Sequence, residues 1–429
     1  MRPLFREMSA FTHDTAARAQ GPDWLAARRA AALERFDDTG LPTEAEEIWR
    51  YSRISELDLD LYTPVQGEPE AGVPGGAVDA IDAVGARAGL VVTRNGRVAH
   101  VELDEALAGQ GVELGDLLAA PDGDDLFGSV AASSTDPFTE LATGFVTGGA
   151  LVRVPAGVAV ADPIVVVHWV DVDGGAVFPR TVVVLGEGAE GTVIERYQSP
   201  DVSAFVDPVI ELDVADAARL RYASVQDFGP RVWQVAYQAS RVGRDAELTS
   251  TAVALGGDYA RLRIDARLDR QGGTSRLMAV YFGAGSAMHD FRTLQDHDAP
   301  QTTSDLLFKG AVAGTARGVY SGIIRVQPKA RGTNAFQTNR NLVLSEGAGA
   351  ESVPTLEIET DDVRCSHASA VGPIDEEQRY YLESRGVPPD VAERLIVLGF
   401  FSEVLERLPS QPLAARLRER LAVRLGGGA

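Results

Sequence analysis

From residue 151 to 360 the chain is a succession of short strand-like runs. Segments 164–170, 181–185, 192–197, 209–214 and 219–225 are rich in β-branched and aromatic residues, and many alternate apolar with polar positions. Segments 232–237, 260–266 and 275–281 continue the pattern. Gly, Asp and Pro punctuate the runs at intervals of roughly 10 to 16 residues, the spacing of an all-β architecture. About 200 residues without a crossover helix leave a sandwich, a barrel, a propeller or a β-helix. There is no clear propeller or leucine-rich signature. Periodicity alone does not choose among these folds.

Both flanks read differently. Residues 21–62 read as helical. Leu25, Ala32, Leu33 and Phe36 form one stripe at helical spacing, which Arg28 and Arg29 interrupt. Alanine content supports the helix independently. The aromatic residues Trp49 and Tyr51 are expected to be packing anchors. Segment 67–76, rich in Pro and Gly, reads as a linker. Segments 90–94 and 97–103 flank Asn95-Gly96, the signature of a hairpin closed by a type I′ turn. A short helix is expected near 113–119.

Beyond residue 372 the helical period returns. Asp375 is a plausible N-cap with Gln378 as its capping-box partner, and Gly386 a plausible stop. Pro388-Pro389 opens a second helix whose apolar face is Val391, Leu395, Leu398, Phe401, Leu405 and Leu408. Pro412 opens a third, with Leu413, Leu417, Leu421 and Leu425. That apolar surface must be covered, by the end of the β region or by a partner protein. The expected organisation is an N-terminal helical region and linker over 1–80, a small mixed α/β segment over 81–150, a β core over 151–372 and a helical domain over 373–429.

Charge and cysteine usage narrow the function. The 429-residue chain carries a net charge of −22. That argues against nucleic-acid binding, which rests on neutralising phosphates, and against docking on an anionic membrane surface. Only Lys309 and Lys329 represent lysine, which reads as composition bias. A single cysteine excludes an internal disulfide framework and fits a reducing compartment. Residues 1–7 show no hydrophobic signal core, and no apolar run is long enough to span a bilayer. The cytoplasm is the expected location.

Several motifs fail on context. Gly186-Glu-Gly188-Ala-Glu-Gly191 has dinucleotide-fingerprint spacing, but a β-branched run follows where a helix would have to receive the pyrophosphate. These glycines read as a turn. There is no P-loop, so any ATP in the system binds another subunit. His289 and His297 would stand about 27 Å apart on one strand, which favours structural or solvent-facing roles. His168 reads as a satisfied core histidine, His100 as an ordinary strand residue, and His13 as part of a mobile N-terminal segment.

Cys365 and His367 are the main chemical candidates. At i and i+2 on a strand they share one face. Thiolate sulfur and imidazole nitrogen suit iron, zinc or copper. Two ligands close neither a tetrahedral site nor an iron–sulfur cluster. The remainder would come from sulfide, distant residues or another chain. The competing role for Cys365 is that of a small packed hydrophobe. Arg364 belongs to the opposite strand face, a poor position for lowering the thiol pKa.

Cys365-Ser-His-Ala368, followed by Val371-Gly-Pro-Ile-Asp-Glu-Glu-Gln378 and Tyr381-Leu-Glu-Ser-Arg-Gly386, resembles the C-terminal signature of the SufB/SufD family. These are the β-helical subunits of a bacterial iron–sulfur cluster assembly complex. Val154-Pro-Ala-Gly-Val-Ala-Val-Ala-Asp-Pro-Ile164 and Asn339-Arg-Asn-Leu-Val-Leu-Ser-Glu346 extend the likeness in the family's order. The form is nearer SufD than SufB, which typically carries further cysteines. The resemblance implies a right-handed parallel β-helix core flanked by N-terminal and C-terminal α-helical regions. It also implies a non-catalytic scaffold subunit that pairs with a SufB-like chain, or with itself when isolated. A SufC-like ATPase would dock on the C-terminal helices through Val391, Leu395, Leu398, Phe401 and Leu405. A nascent iron–sulfur cluster would form at the subunit interface, with His367 a ligand, Cys365 a candidate, and thiolate from the partner. The family's complex is also associated with reduced flavin, for which no residues here locate a site. None of these cofactors is expected in the isolated chain. Two alternatives remain: a β-helical carbohydrate-active enzyme, and a purely structural dimer partner.

Overall fold

Two sheets run the length of the molecule in a computed structural model that describes residues 10–131 and 136–426. One has 12 strands and ends on Gly349–Ile358; the other has 10 and ends on Val363–Gly372. The chain alternates between them, so neighbours within each sheet come from successive turns and pair in parallel. The result is a parallel β-solenoid of about eight turns, flanked by N- and C-terminal helices that pack on its sides. Many of these parallel strands are buried on both faces, since the solenoid interior covers one side and the flanking helical regions the other. Strand Arg219–Asp227 illustrates this. Leu220 and Tyr222 pack inside the solenoid, while Ala223 and Val225 pack outward beneath the C-terminal helices.

The N-terminal region covers the first sheet. Leu33, Phe36, Trp49, Phe138 and Phe145 pack on Phe178, Phe205, Tyr237 and Tyr259. The Arg261 guanidinium lies 3.7 Å from the Trp49 ring centroid. It donates to the Ile48 carbonyl at 2.8 Å and to Asp290 at 2.7 Å. Asp290 also accepts from Tyr259 and Arg292, so this buried acid is fully engaged. The Leu25–Phe36 stripe is buried as its spacing predicts, and Arg29 is buried with it. Arg29 is tolerated there because it donates to the Ala19, Gln20 and Val146 carbonyls.

Several local expectations change. The first long helix is Asp23–Thr39, ended by Gly40 at φ 69°, and only short 3₁₀ turns follow it to Leu61. Residues 113–119 form strand Glu113–Asp116 and a 3₁₀ turn, because 113–116 pair antiparallel with Ala150–Val154 and those ladder bonds override helix propensity. Trp49 is an anchor, but Tyr51 is 47% exposed. His13 starts helix His13–Arg18 and lies 2.9 Å from Asp37. Of the two roles expected for His289 and His297, the structural one holds and neither faces solvent. His289 bonds the Phe282 carbonyl, and His297 sits between the Thr302 and Ser304 hydroxyls.

Other readings hold. Asn95 and Gly96 have φ of 52° and 90°, as a type I′ turn requires. Their hairpin, within 81–150, joins the second sheet beside Ile164–Trp169, so it extends the solenoid. Gly188, at φ 64°, turns the chain into strand Glu190–Gln198. His168 is buried between Thr93, Thr181 and Glu195. Residues 1–7, read for a signal segment, lie outside the described residues.

Candidate functional site at the open end of the solenoid

The last strand, Val363–Gly372, pairs in register with Thr333–Val343. Cys365 aligns with Ala335, His367 with Gln337 and Ser369 with Asn339. Those three partners are buried inside the solenoid. Cys365, His367 and Ser369 therefore continue an inward-facing row into the final turn, where no further strand stacks on them. The same row ends at Val371, 44% exposed. From the facing sheet, Ser352 on Gly349–Ile358 accepts a 2.7 Å hydrogen bond from Ser369.

The two candidate donors differ in environment. His367 is exposed, while Cys365 is half-buried against Ile324, Val326, Ala330 and Ala335. Burial raises the Cys365 thiol pKa, and a hydrogen bond with the Ala335 backbone opposes it only in part. The thiol is thus protonated at neutral pH, and only a metal or partner cation would favour the thiolate. Arg364 is exposed on the other face. Among the described residues no group of three or more His, Cys, Asp or Glu converges on a metal-sized site. This chain offers two donors at its open end, and a cluster needs more. Ser369 and Ser352 had no place in the motif reading. Extending the i, i+2 rule by one step reaches Ser369, whereas Ser352 comes from the other sheet.

The C-terminal helices are Glu376–Ser384, Pro389–Leu405 and Gln411–Leu425. Asp375 caps the first, accepting from the Glu377 and Gln378 amides, and Gly386 follows it at φ 87°. The proposed partner face divides in two. Phe401 and Leu405 are fully buried with Leu408 against Val253, Val280 and Ala311 of the second sheet. Leu413, Leu417 and Leu421 join the same core. Phe401 and Leu405 are thus core residues of this chain, because the solenoid's outer valines offer an apolar surface that the helices must cover. Val391 and Leu398 are half-buried and Leu395 is 49% exposed. Beside them, Tyr380 is 73% and Tyr381 57% exposed.

A family model described as the SUF system FeS cluster assembly, SufBD core domain, matches residues 168–400. A second, the SufBD protein N-terminal region, matches residues 4–166. The chain belongs to the SufB/SufD family. An iron–sulfur cluster assembly SufBD family protein of Mycobacterium tuberculosis is 36% identical over 279 residues, 63% of this chain and 68% of the relative. The SufD proteins of Escherichia coli and Bacillus subtilis are 29% and 28% identical, over 92% and 93% of this chain and equal shares of their own lengths. This SufB/SufD family member thus has SufD homologues along almost its whole length.

Proposed function

We propose that this family member is a SufD-like, non-catalytic subunit of an iron–sulfur cluster scaffold. It pairs through its open solenoid end with a SufB-like chain. The observation that carries this reading is the terminal turn: two unpaired edge strands flank an exposed imidazole and a half-buried thiol. Edge strands invite pairing with another chain. A ligand shortage at that edge is what a site shared across an interface requires. His367 serves as a ligand of the nascent cluster, which is cargo, and the partner supplies thiolate. A SufC-like ATPase docks on the exposed side of the C-terminal helices, around Leu395, Val391 and Leu398 with Tyr380 and Tyr381. Phe401 and Leu405 act only as support beneath that surface. The buried acids Glu195, Glu211 and Asp290 are tied to His168, Arg180 and Arg261, which leaves them ill-suited to hydrolytic catalysis. No helix among the described residues is long and apolar enough to cross a membrane, and the proposed location is the cytoplasm.

Purification from the native host tests the reading. The chain should bring down SufB-like and SufC-like proteins, and iron and sulfide should accumulate only in that complex. Alone, with magnesium and ATP, it should show background hydrolysis. Val371→Asp should weaken SufB-like pairing while the chain stays folded. Unchanged pairing in that variant, or purification without either partner, would overturn the reading.

A further inference from the structure

A cleft of about 430 Å³ lies between helix Gln411–Leu425 and the outer face of the second sheet. Arg196, on strand Glu190–Gln198, forms part of its wall and is only 5% exposed. Among the described residues its side chain makes one long hydrogen bond, 3.3 Å from Nη1 to the Ala80 carbonyl. Its Nε is buried without a partner. Burial lowers its pKa to about 10, so it remains charged at neutral pH.

Two of the nearby acids are paired elsewhere, although Asp227 still acts on Arg196 through space. Asp227 already takes Arg420 at 3.1 Å and Arg424 at 2.6 Å. Glu419 pairs with Arg416 at 3.3 Å. Asp79, also on the wall, makes no ion pair with Arg196 among the described residues. Two other buried arginines, Arg180 and Arg261, each hold a carboxylate. Arg29 has none and its Nε is likewise unpartnered, but both its Nη atoms are taken up by three carbonyls, at 2.6 to 2.8 Å. Arg196 is a buried cation with no carboxylate in direct contact among the described residues, an arrangement that folding alone does not favour.

One part of the wall is apolar and includes a planar ring. Trp169 lines the cleft, its Nε1 fixed by a 3.0 Å hydrogen bond to Asp171. Gly76 lies so close to the indole that a Cβ there would fall 2.2 Å from the ring. Leu417 and Val423 continue this surface.

We propose that the cleft binds a small organic anion, with a phosphate or carboxylate head on Arg196 and an apolar, planar body along Trp169 and Leu417. A guanidinium recognises either head in the same bidentate manner.

Calorimetry and thermal unfolding of the full chain at fixed ionic strength test this with sodium phosphate, sodium benzoate, AMP and adenosine. At least one of benzoate and AMP should bind saturably and raise Tm, at least tenfold more tightly than phosphate, while adenosine has no effect. Arg196→Gln should abolish the response. Trp169→Leu should keep any phosphate response and lose the advantage of the ring. Arg420→Gln, on the exposed rim, keeps the question open to test if Arg196→Gln does not fold; it should weaken binding several-fold. No saturable binding of benzoate or AMP, or equal binding by folded Arg196→Gln or by Arg420→Gln, would overturn the proposal.

Discussion

Ser369 Oγ donates to Ser352 Oγ at 2.7 Å, tying together the two strands that end the solenoid. One serine belongs to each sheet, so the bond closes the last turn from inside although no strand stacks above it. It fixes the strand that carries Cys365 and His367 while leaving both edges free.

His367 should matter more than Cys365 for cluster assembly. The imidazole is exposed at the open end, whereas the thiol packs against Ala335 and Ile324. His367→Ala should fold, assemble with its partners and lose most cluster formation in cells that depend on this system. Cys365→Ala should keep a substantial part. Iron–sulfur enzyme activity is the readout, and full activity in His367→Ala would refute the assignment. In the isolated chain Cys365 should alkylate more slowly than a free thiol at pH 7, accelerating as pH rises, because burial lifts its pKa.

Stability should fall between pH 6.5 and 4. Burial lowers both His289 and His297 to about 4 from 6.5. Above pH 6.5 both are neutral in either state. Below it the unfolded chain takes protons that the native interior refuses, so the native state loses ground until pH nears 4. Each histidine contributes on the order of 3 kcal/mol to that loss. Further acidification should remove the contribution of Glu195. Burial would raise its pKa, but His168, Thr181 and Tyr222 together hold it below the ordinary value. Urea midpoints at pH 7.5, 6 and 5 check the first window, and His297→Gln should flatten it.

Phe401→Ala should destabilise the chain by roughly 3–5 kcal/mol, since it empties a packed site beneath the helix. Leu395→Asp should change stability by less than about 0.5 kcal/mol, as expected of a surface site. Thermal melts separate the two. Only Leu395→Asp is then a clean test of ATPase docking, and it should reduce capture of a SufC-like protein.

Arg261→Met should cost roughly 3–5 kcal/mol, because it strands part of the charge on buried Asp290 and removes the platform under Trp49. Denaturant unfolding followed by tryptophan fluorescence should show the loss. A midpoint equal to that of the parent chain would mean that Arg292 and Tyr259 satisfy Asp290 alone.

Local signals settled much of this protein in advance. The β-branched runs specified strands, Asn95-Gly96 specified its hairpin, and Asp375 and Gly386 specified the bounds of a helix. The Cys365–His367 spacing specified a shared face, because strand geometry is local. Only the tertiary structure decided which elements cover which surfaces. The 113–116 segment became a strand because Ala150–Val154 lay beside it. Phe401 and Leu405 became core while Leu395 stayed outside, because the second sheet's outer valines lie under one side of the helix. His297 met Thr302 and Ser304 inside a turn of the solenoid, and Arg196 was left without a direct ion pair among the described residues. Ser352 came to Ser369 from another sheet. Each outcome depends on chain segments meeting across the solenoid, where periodicity of two or 3.6 residues carries no information about the partner.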